Sequence, residues 1–117
     1  MSERDPDCLF CRIVAGEIPS DRVHEDDEVI AFRDIAPRAP THVLVIPRRH
    51  VADAHALTDA DGDLLARLFG VVRKVADDQG LDRGYRVVTN VGPESGQTVF
   101  HLHLHLLGGR PMAWPPG

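Results

Sequence analysis

The segment Val99-Phe-His101-Leu-His103-Leu-His105-Leu-Leu107 constrains this chain more than any other, because histidine and leucine alternate along it with a period of two. In an extended strand, residues two apart share a face at a repeat of about 6.6 to 6.8 Å, so the histidines would line one surface while Leu102, Leu104 and Leu106 enter a core. On a helix the same residues would scatter to opposite sides. The pattern therefore predicts a strand from Val99 to Leu107. Neutral imidazole is available at pH 7 and can act as general acid or base, nucleophile or metal ligand. The bland alternative is a polar face that happens to be rich in histidine. Strict alternation directly after the loop Asn90-Val-Gly-Pro-Glu-Ser-Gly96-Gln97-Thr98 favours a site, since that loop offers amides, hydroxyls and backbone N–H groups suited to a phosphate.

The remaining pattern is mixed. Apolar residues at 9, 10, 13 and 14 predict a short helix ended by Gly16. Arg22 to His24 and Val29 to Arg33 read as a hairpin around the acidic cluster Glu25 to Glu28. Pro37 and Pro40 force an extended connection into His42-Val-Leu-Val-Ile-Pro47, whose continuous apolar run suits a central strand. From Thr58 to Gln79, Leu64, Leu65, Leu68, Val72 and Val75 recur at helical spacing, Thr58 with Asp61 forms a capping-box pattern, and Gly80 can close the C-terminus. Tyr85 to Val91 reads as a further strand. These elements predict an α+β fold: an antiparallel sheet of about five strands, one long helix and a short N-terminal one.

With 117 residues, the chain is expected to form a single domain with one modest core. Residues 1–7 are expected to be a flexible N-terminus and 110–117 a C-terminal tail. A formal charge of -5 argues against nucleic acid as a partner, so a small anion would need a local pocket of donors. The start MSERDPDCLF lacks a basic segment followed by an apolar one. No apolar run reaches the roughly 18 residues of a membrane span. The expectation is a cytoplasmic chain without membrane contact, in which Cys8 and Cys11 stay reduced and form a metal half-site or a redox pair rather than a structural disulfide.

His101-Leu-His103-Leu-His105-Leu-Leu107 fits the His-φ-His-φ-His-φ-φ signature, φ being apolar, and so resembles the histidine triad superfamily. Cys8 to Pro19, Ala31 to Pro37, Thr41 to Pro47 and Trp114 to Gly117 are similar to its Hint branch, so the resemblance spans nearly the whole chain. The nucleotidyltransferase branch carries glutamine where this chain has His105, so hydrolysis is implied over transfer to a sugar phosphate. The resemblance implies that His103 is the nucleophile, forming a nucleotidyl-histidine that water hydrolyses. It implies phosphate contacts from His105 and Thr98, with Thr98 also near the leaving amine, and support of the nucleophile by His42. Asp34 matches the ribose-binding carboxylate, although by itself it reads as a turn residue before Pro37. Leu9, Phe10, Ile13, Phe32 and Ile35 would wall the base pocket, where composition alone would assign them to a core. Asn90, Gly96 and Gln97 complete the expected nucleotide contacts. A homodimer with a sheet continued across the interface is implied, with the tail around Trp114 reaching the partner, and so is a purine nucleotide substrate.

Cys8 and Cys11 could join two histidines in a tetrahedral zinc site, and some bacterial relatives do so with residues matching His50 and His101. The alternative is two idle thiols. No organic cofactor is implied. If zinc takes His101, that residue cannot also serve catalysis at the phosphate. Three further readings stay open: a zinc-containing nucleotide-binding module without turnover, a metallohydrolase using His101, His103 and His105 together, and a dinucleoside polyphosphate hydrolase.

Overall fold

The computed structural model describes residues 5–117. It is an α+β domain. The order is α1 (Leu9–Val14), β1 (Arg22–Glu25), β2 (Val29–Arg33), β3 (Thr41–Pro47), α2 (Gly62–Asp78), β4 (Tyr85–Val88) and β5 (Leu104–Gly108), with single 3-10 turns between some of them. The strands form one sheet in the order β1-β2-β3-β5-β4, and every neighbouring pair is antiparallel. The expected fold class is the one observed.

β2 and β3 lie inside the sheet and are covered on both faces, which accounts for the unbroken apolar run before Pro47. One face presents Val29, Ala31, Val43, Val45, Leu104 and Leu106 to Leu68, Val71, Val72, Val75 and Ala76 of α2. The opposite face presents Ile30, Phe32, Leu44 and Ile46 to Phe10, Cys11 and Ile13 of α1. A six-residue helix is too short to be stable alone. Here Cys8 caps it, its sulfur accepting the N–H of Cys11, and the buried Phe10, Cys11 and Ile13 anchor it to the sheet.

Three boundaries differ from expectation. The histidine-leucine segment is ladder-paired only from Leu104, because upstream of it the chain finds other partners: the Leu102 N–H donates to the Val51 carbonyl at 2.6 Å and the His101 ring binds the Pro47 carbonyl. β4 stops at Val88, where the Thr89 hydroxyl turns to donate to the His103 carbonyl at 2.9 Å. The Thr58–Asp61 capping box is present, but it starts a 3-10 turn at Asp59–Asp61 that runs into α2. Residues 1–4 of the expected flexible terminus lie outside the described residues. Asp5 to Asp7 are fastened, since the Asp5 carbonyl accepts the Cys8 N–H and the Asp5 N–H donates to Cys11 Sγ. In the tail, the Arg86 guanidinium donates to the Ala113 carbonyl, and Trp114 is exposed.

Candidate active site and metal cluster

The α1-covered face of the sheet carries a row of rings. His50 meets His101 at 5.1 Å between centroids, Phe10 meets His101 at 5.9 Å and His103 at 5.1 Å, His103 meets His105 at 4.9 Å, and His105 meets His42 at 5.2 Å. Phe10 also packs edge-on against Phe32. His42 and His105 arrive from paired strands, β3 and β5, while Phe10 comes from α1. The sequence signal of alternation thus identified rings that share a neighbourhood, although His101 and His103 precede the strand itself.

Hydrogen-bond partners assign the proton on each ring. His103 Nδ1 lies 2.7 Å from the His101 carbonyl, which can only accept, so Nδ1 carries the proton and Nε2 keeps its lone pair. His42 Nδ1 accepts the N–H of Arg38 at 3.0 Å, so its proton sits on Nε2 and is donated to His105 Nδ1 at 2.9 Å. His105 in turn carries its proton on Nε2. Asp34 approaches the same His42 Nε2 at 3.5 Å. Burial holds these imidazoles neutral: it lowers His42 and His103 below the ordinary histidine range and His105 to about 4. The outcome is one bare nitrogen on His103 beside a relay of neutral donors.

His101 is arranged differently. Its ring is completely buried, with Nε2 donating to the Pro47 carbonyl at 2.8 Å and Nδ1 facing Cys8 Sγ at 3.4 Å and Cys11 Sγ at 3.5 Å. His50 Nδ1 lies 3.4 Å from Cys11 Sγ. Tetrahedral zinc with ordinary Zn–S and Zn–N bonds separates its sulfur and nitrogen ligands by about 3.5 Å. The candidate ligand atoms of Cys8, Cys11, His50 and His101 all lie within 4.8 Å of one another. Backbone N–H groups of Cys11 and Asp5 donate to Cys8 Sγ and Cys11 Sγ respectively, the pattern that stabilises sulfur as thiolate. Burial raises the Cys8 thiol to about 11, so a cation is what would draw the proton off it. The residues fit a structural zinc ion.

Of the two roles open to His101, metal ligand or phosphate contact, this geometry favours the first, because both of its nitrogens face partners within the protein. It also removes the arrangement in which His101, His103 and His105 ligate one metal. A second group, Asp34, His42 and His105, comes within the same 4.8 Å span. There a cation on His42 Nε2 would displace the only proton of a ring whose Nδ1 already accepts the Arg38 N–H, leaving an imidazolate. That group suits proton transfer better than metal binding.

The loop before the histidines is spent on its own shape. The N–H groups of Gly92, Ser95, Gly96 and Gln97 all bond within it. The Gln97 amide, buried, accepts from Gly92 and donates to the carbonyls of Ala52 and Val99, and Asn90 donates to the Ser95 carbonyl. Gly96 closes the turn with left-handed backbone, φ 96°. In this structure Asn90, Gly96 and Gln97 make bonds that brace the loop just before Thr98. Thr98 is exposed and borders an open cleft of about 370 Å³ with Asp5, Asp7, Cys8, Leu9, His50 and Phe100. Ile35, expected in the base pocket, is fully exposed, whereas Phe10, Ile13 and Phe32 are buried. Sequence reasoning missed Arg38, Pro47 and Thr89, which act through backbone atoms or a lone hydroxyl and leave no pattern along the chain.

The HIT domain model matches residues 15–112. The chain belongs to the HIT family. A HIT family hydrolase from Legionella pneumophila Philadelphia 1 superposes with a TM-score of 0.93 at 53% identity, covering 95% of this chain and 100% of that one. The histidine triad nucleotide-binding protein from Candida albicans gives 0.80 at 37% identity over 93% and 83%. A 14 kDa zinc-binding protein of Brassica juncea is 47% identical over 113 residues, 95% of this chain and 100% of that relative. This HIT domain thus shares its fold with hydrolases, and among its relatives is a protein named for zinc, in keeping with the Cys₂His₂ cluster.

Proposed function

We propose that this HIT protein hydrolyses purine nucleoside monophosphate derivatives, phosphoramidates and aminoacyl adenylates among them, through a nucleotidyl-histidine on His103. The observation that carries the reading is the His103 Nδ1–H bond to the His101 carbonyl, which leaves Nε2 as the free nucleophilic atom. In the first step Nε2 forms a bond to phosphorus and the bond to the leaving nitrogen or oxygen breaks. The leaving group takes up a proton from solvent, and the exposed Thr98 hydroxyl is the relay we assign to it. The ring is then a cation, and the His101 carbonyl still accepts its Nδ1–H, stabilising the adduct. In the second step water attacks phosphorus and releases a proton to solvent, the P–N bond to His103 breaks, and the nucleoside monophosphate leaves with His103 neutral again. His105 donates Nε2–H to a phosphate oxygen, and His42 supports His105 from behind. Asp34 accepts from the ribose hydroxyls, and Phe10 and Phe32 wall the base.

When bound, zinc would be held by Cys8, Cys11, His50 and His101 and would act structurally, tying α1 to the segment before β5. The edge position of β4, with the exposed Trp114 in the tail beyond it, supports a homodimer in which the two sheets continue through this edge. The reduced cysteine pair suits a cytoplasmic location; among the described residues no helix is long and apolar enough to cross a membrane.

The deciding experiment is AMP release from adenosine 5′-phosphoramidate by the wild-type protein and by His103→Ala. The expected result is turnover in the first and a loss of at least about 10⁴-fold in the second, with nucleotide binding retained. Binding of AMP by a wild-type protein that releases none from the phosphoramidate would refute the enzyme reading. Faster turnover of diadenosine tetraphosphate than of the phosphoramidate would instead favour the polyphosphate hydrolase.

A further inference from the structure

His101 stands in two structures at once. Its imidazole closes the cysteine cluster, with Nδ1 towards Cys8 and Cys11 and Nε2 held by the Pro47 carbonyl. Its carbonyl, a few bonds away, is the acceptor that sets the proton of His103 on Nδ1. Phe10 sits in α1 between the two cysteines and touches the edge or face of both the His101 and the His103 rings. The His101-Leu102-His103 segment lies outside the β-ladder, so its orientation rests on the Leu102 bond to Val51, the Thr89 bond to the His103 carbonyl and the seating of the His101 ring.

We propose that His101 is a positioning residue which couples metal occupancy of the Cys8, Cys11, His50 and His101 cluster to the tautomer and orientation of the His103 imidazole. With the cluster filled, the His101 ring is held from both sides, and its carbonyl keeps a fixed aim at His103 Nδ1. With the cluster empty, the Pro47 bond and the weak sulfur contacts of Cys8 and Cys11 are what hold the ring, without the metal bond that fixes Nδ1. α1 is then tied to His101 and His50 through weak sulfur contacts alone, and Phe10 loosens against His103. The nucleophile then divides its time between two tautomers, only one of which exposes a bare Nε2. The inference rests on His103 being the nucleophile, but it concerns where a proton sits and can be read without turnover.

The test is the ¹⁵N–¹H imidazole spectrum of uniformly labelled protein, loaded with one equivalent of Zn²⁺ and after exhaustive chelation. The His103 signals are identified by their loss in His103→Ala. The expected result is a pure Nδ1–H tautomer for His103 in the loaded protein and a mixture in the emptied one. Turnover of the phosphoramidate should fall about tenfold in kcat with KM nearly unchanged. His50→Ala should reproduce the mixture, and His50→Cys, which restores a ligand, should return His103 to the single tautomer. A pure Nδ1–H tautomer in both loaded and emptied protein would overturn the inference. So would collapse of the whole amide spectrum on chelation, because the cluster would then hold up the domain rather than one ring. Unchanged turnover in His103→Ala would remove the nucleophile reading while leaving the tautomer result to stand or fall by itself.

Discussion

His42 Nε2 donates its proton to His105 Nδ1 at 2.9 Å, joining two strands of the sheet through a pair of neutral imidazoles. The pair has a consequence for stability. Burial lowers both rings, His105 to about 4 with the nearby His103 and His42 adding to the effect, while Asp34 opposes it at each. In the unfolded chain these histidines take up protons at ordinary values near 6.5. Between about pH 6.5 and 4 the unfolded state therefore binds more protons, and stability rises with pH. The contribution is fully present above about 6.5 and is lost as pH falls towards 4. Thermal melts of the zinc-loaded protein should show a constant Tm at pH 7 to 8 and a decline of several degrees by pH 5. His105→Asn should flatten that decline; an equal slope in the variant would place its origin elsewhere.

The cysteine cluster should behave as a single site. Metal analysis is expected to find one zinc per chain, and zinc should raise the Tm of emptied protein by several degrees through binding to the folded state. Cys11→Ser, which removes a sulfur within 3.5 Å of both His50 and His101, should abolish that increment. An unchanged zinc response in Cys11→Ser would mean the ion sits elsewhere.

Two glycines should respond to alanine in opposite directions. Gly109 has φ +90°, and a Cβ there would lie 2.9 Å from Pro40 Cβ, an atom in a rigid ring. Gly109→Ala is expected to cost about 2 to 4 kcal/mol, from backbone strain and overpacking together. Gly70 lies within α2 with open space where a Cβ would go, so Gly70→Ala should stabilise by about 0.5 to 1 kcal/mol. Urea midpoints at constant m-value would check both.

Light scattering at micromolar concentration should give twice the chain mass of 12.9 kDa. Replacing Trp114 by alanine is expected to slow turnover more than it weakens association, if the tail meets the partner's site. A monomeric mass for the wild type would remove the dimer.

Periodicity alone made much of this protein legible. The helical spacing of Leu68, Val72 and Val75, the hairpin around Asp26 and the apolar run ending at Pro47 each report a local preference that burial then satisfies. Alternation of histidine with leucine separated a reactive side from a core side, because the side-chain period of extended chain is two. That signal carried no information on what each imidazole faces. Only the tertiary structure decided that His101 turns to the cysteines while His103 keeps a bare nitrogen. Those roles depend on Cys8, Cys11, Pro47 and Arg38, brought in from distant parts of the chain. The same holds for Gln97 and Asn90, whose amides bond to the carbonyls of Ala52 and Ser95 and brace their loop. A side chain's identity lists the bonds it can make, and the folded chain chooses among them by what lies within about 3 Å.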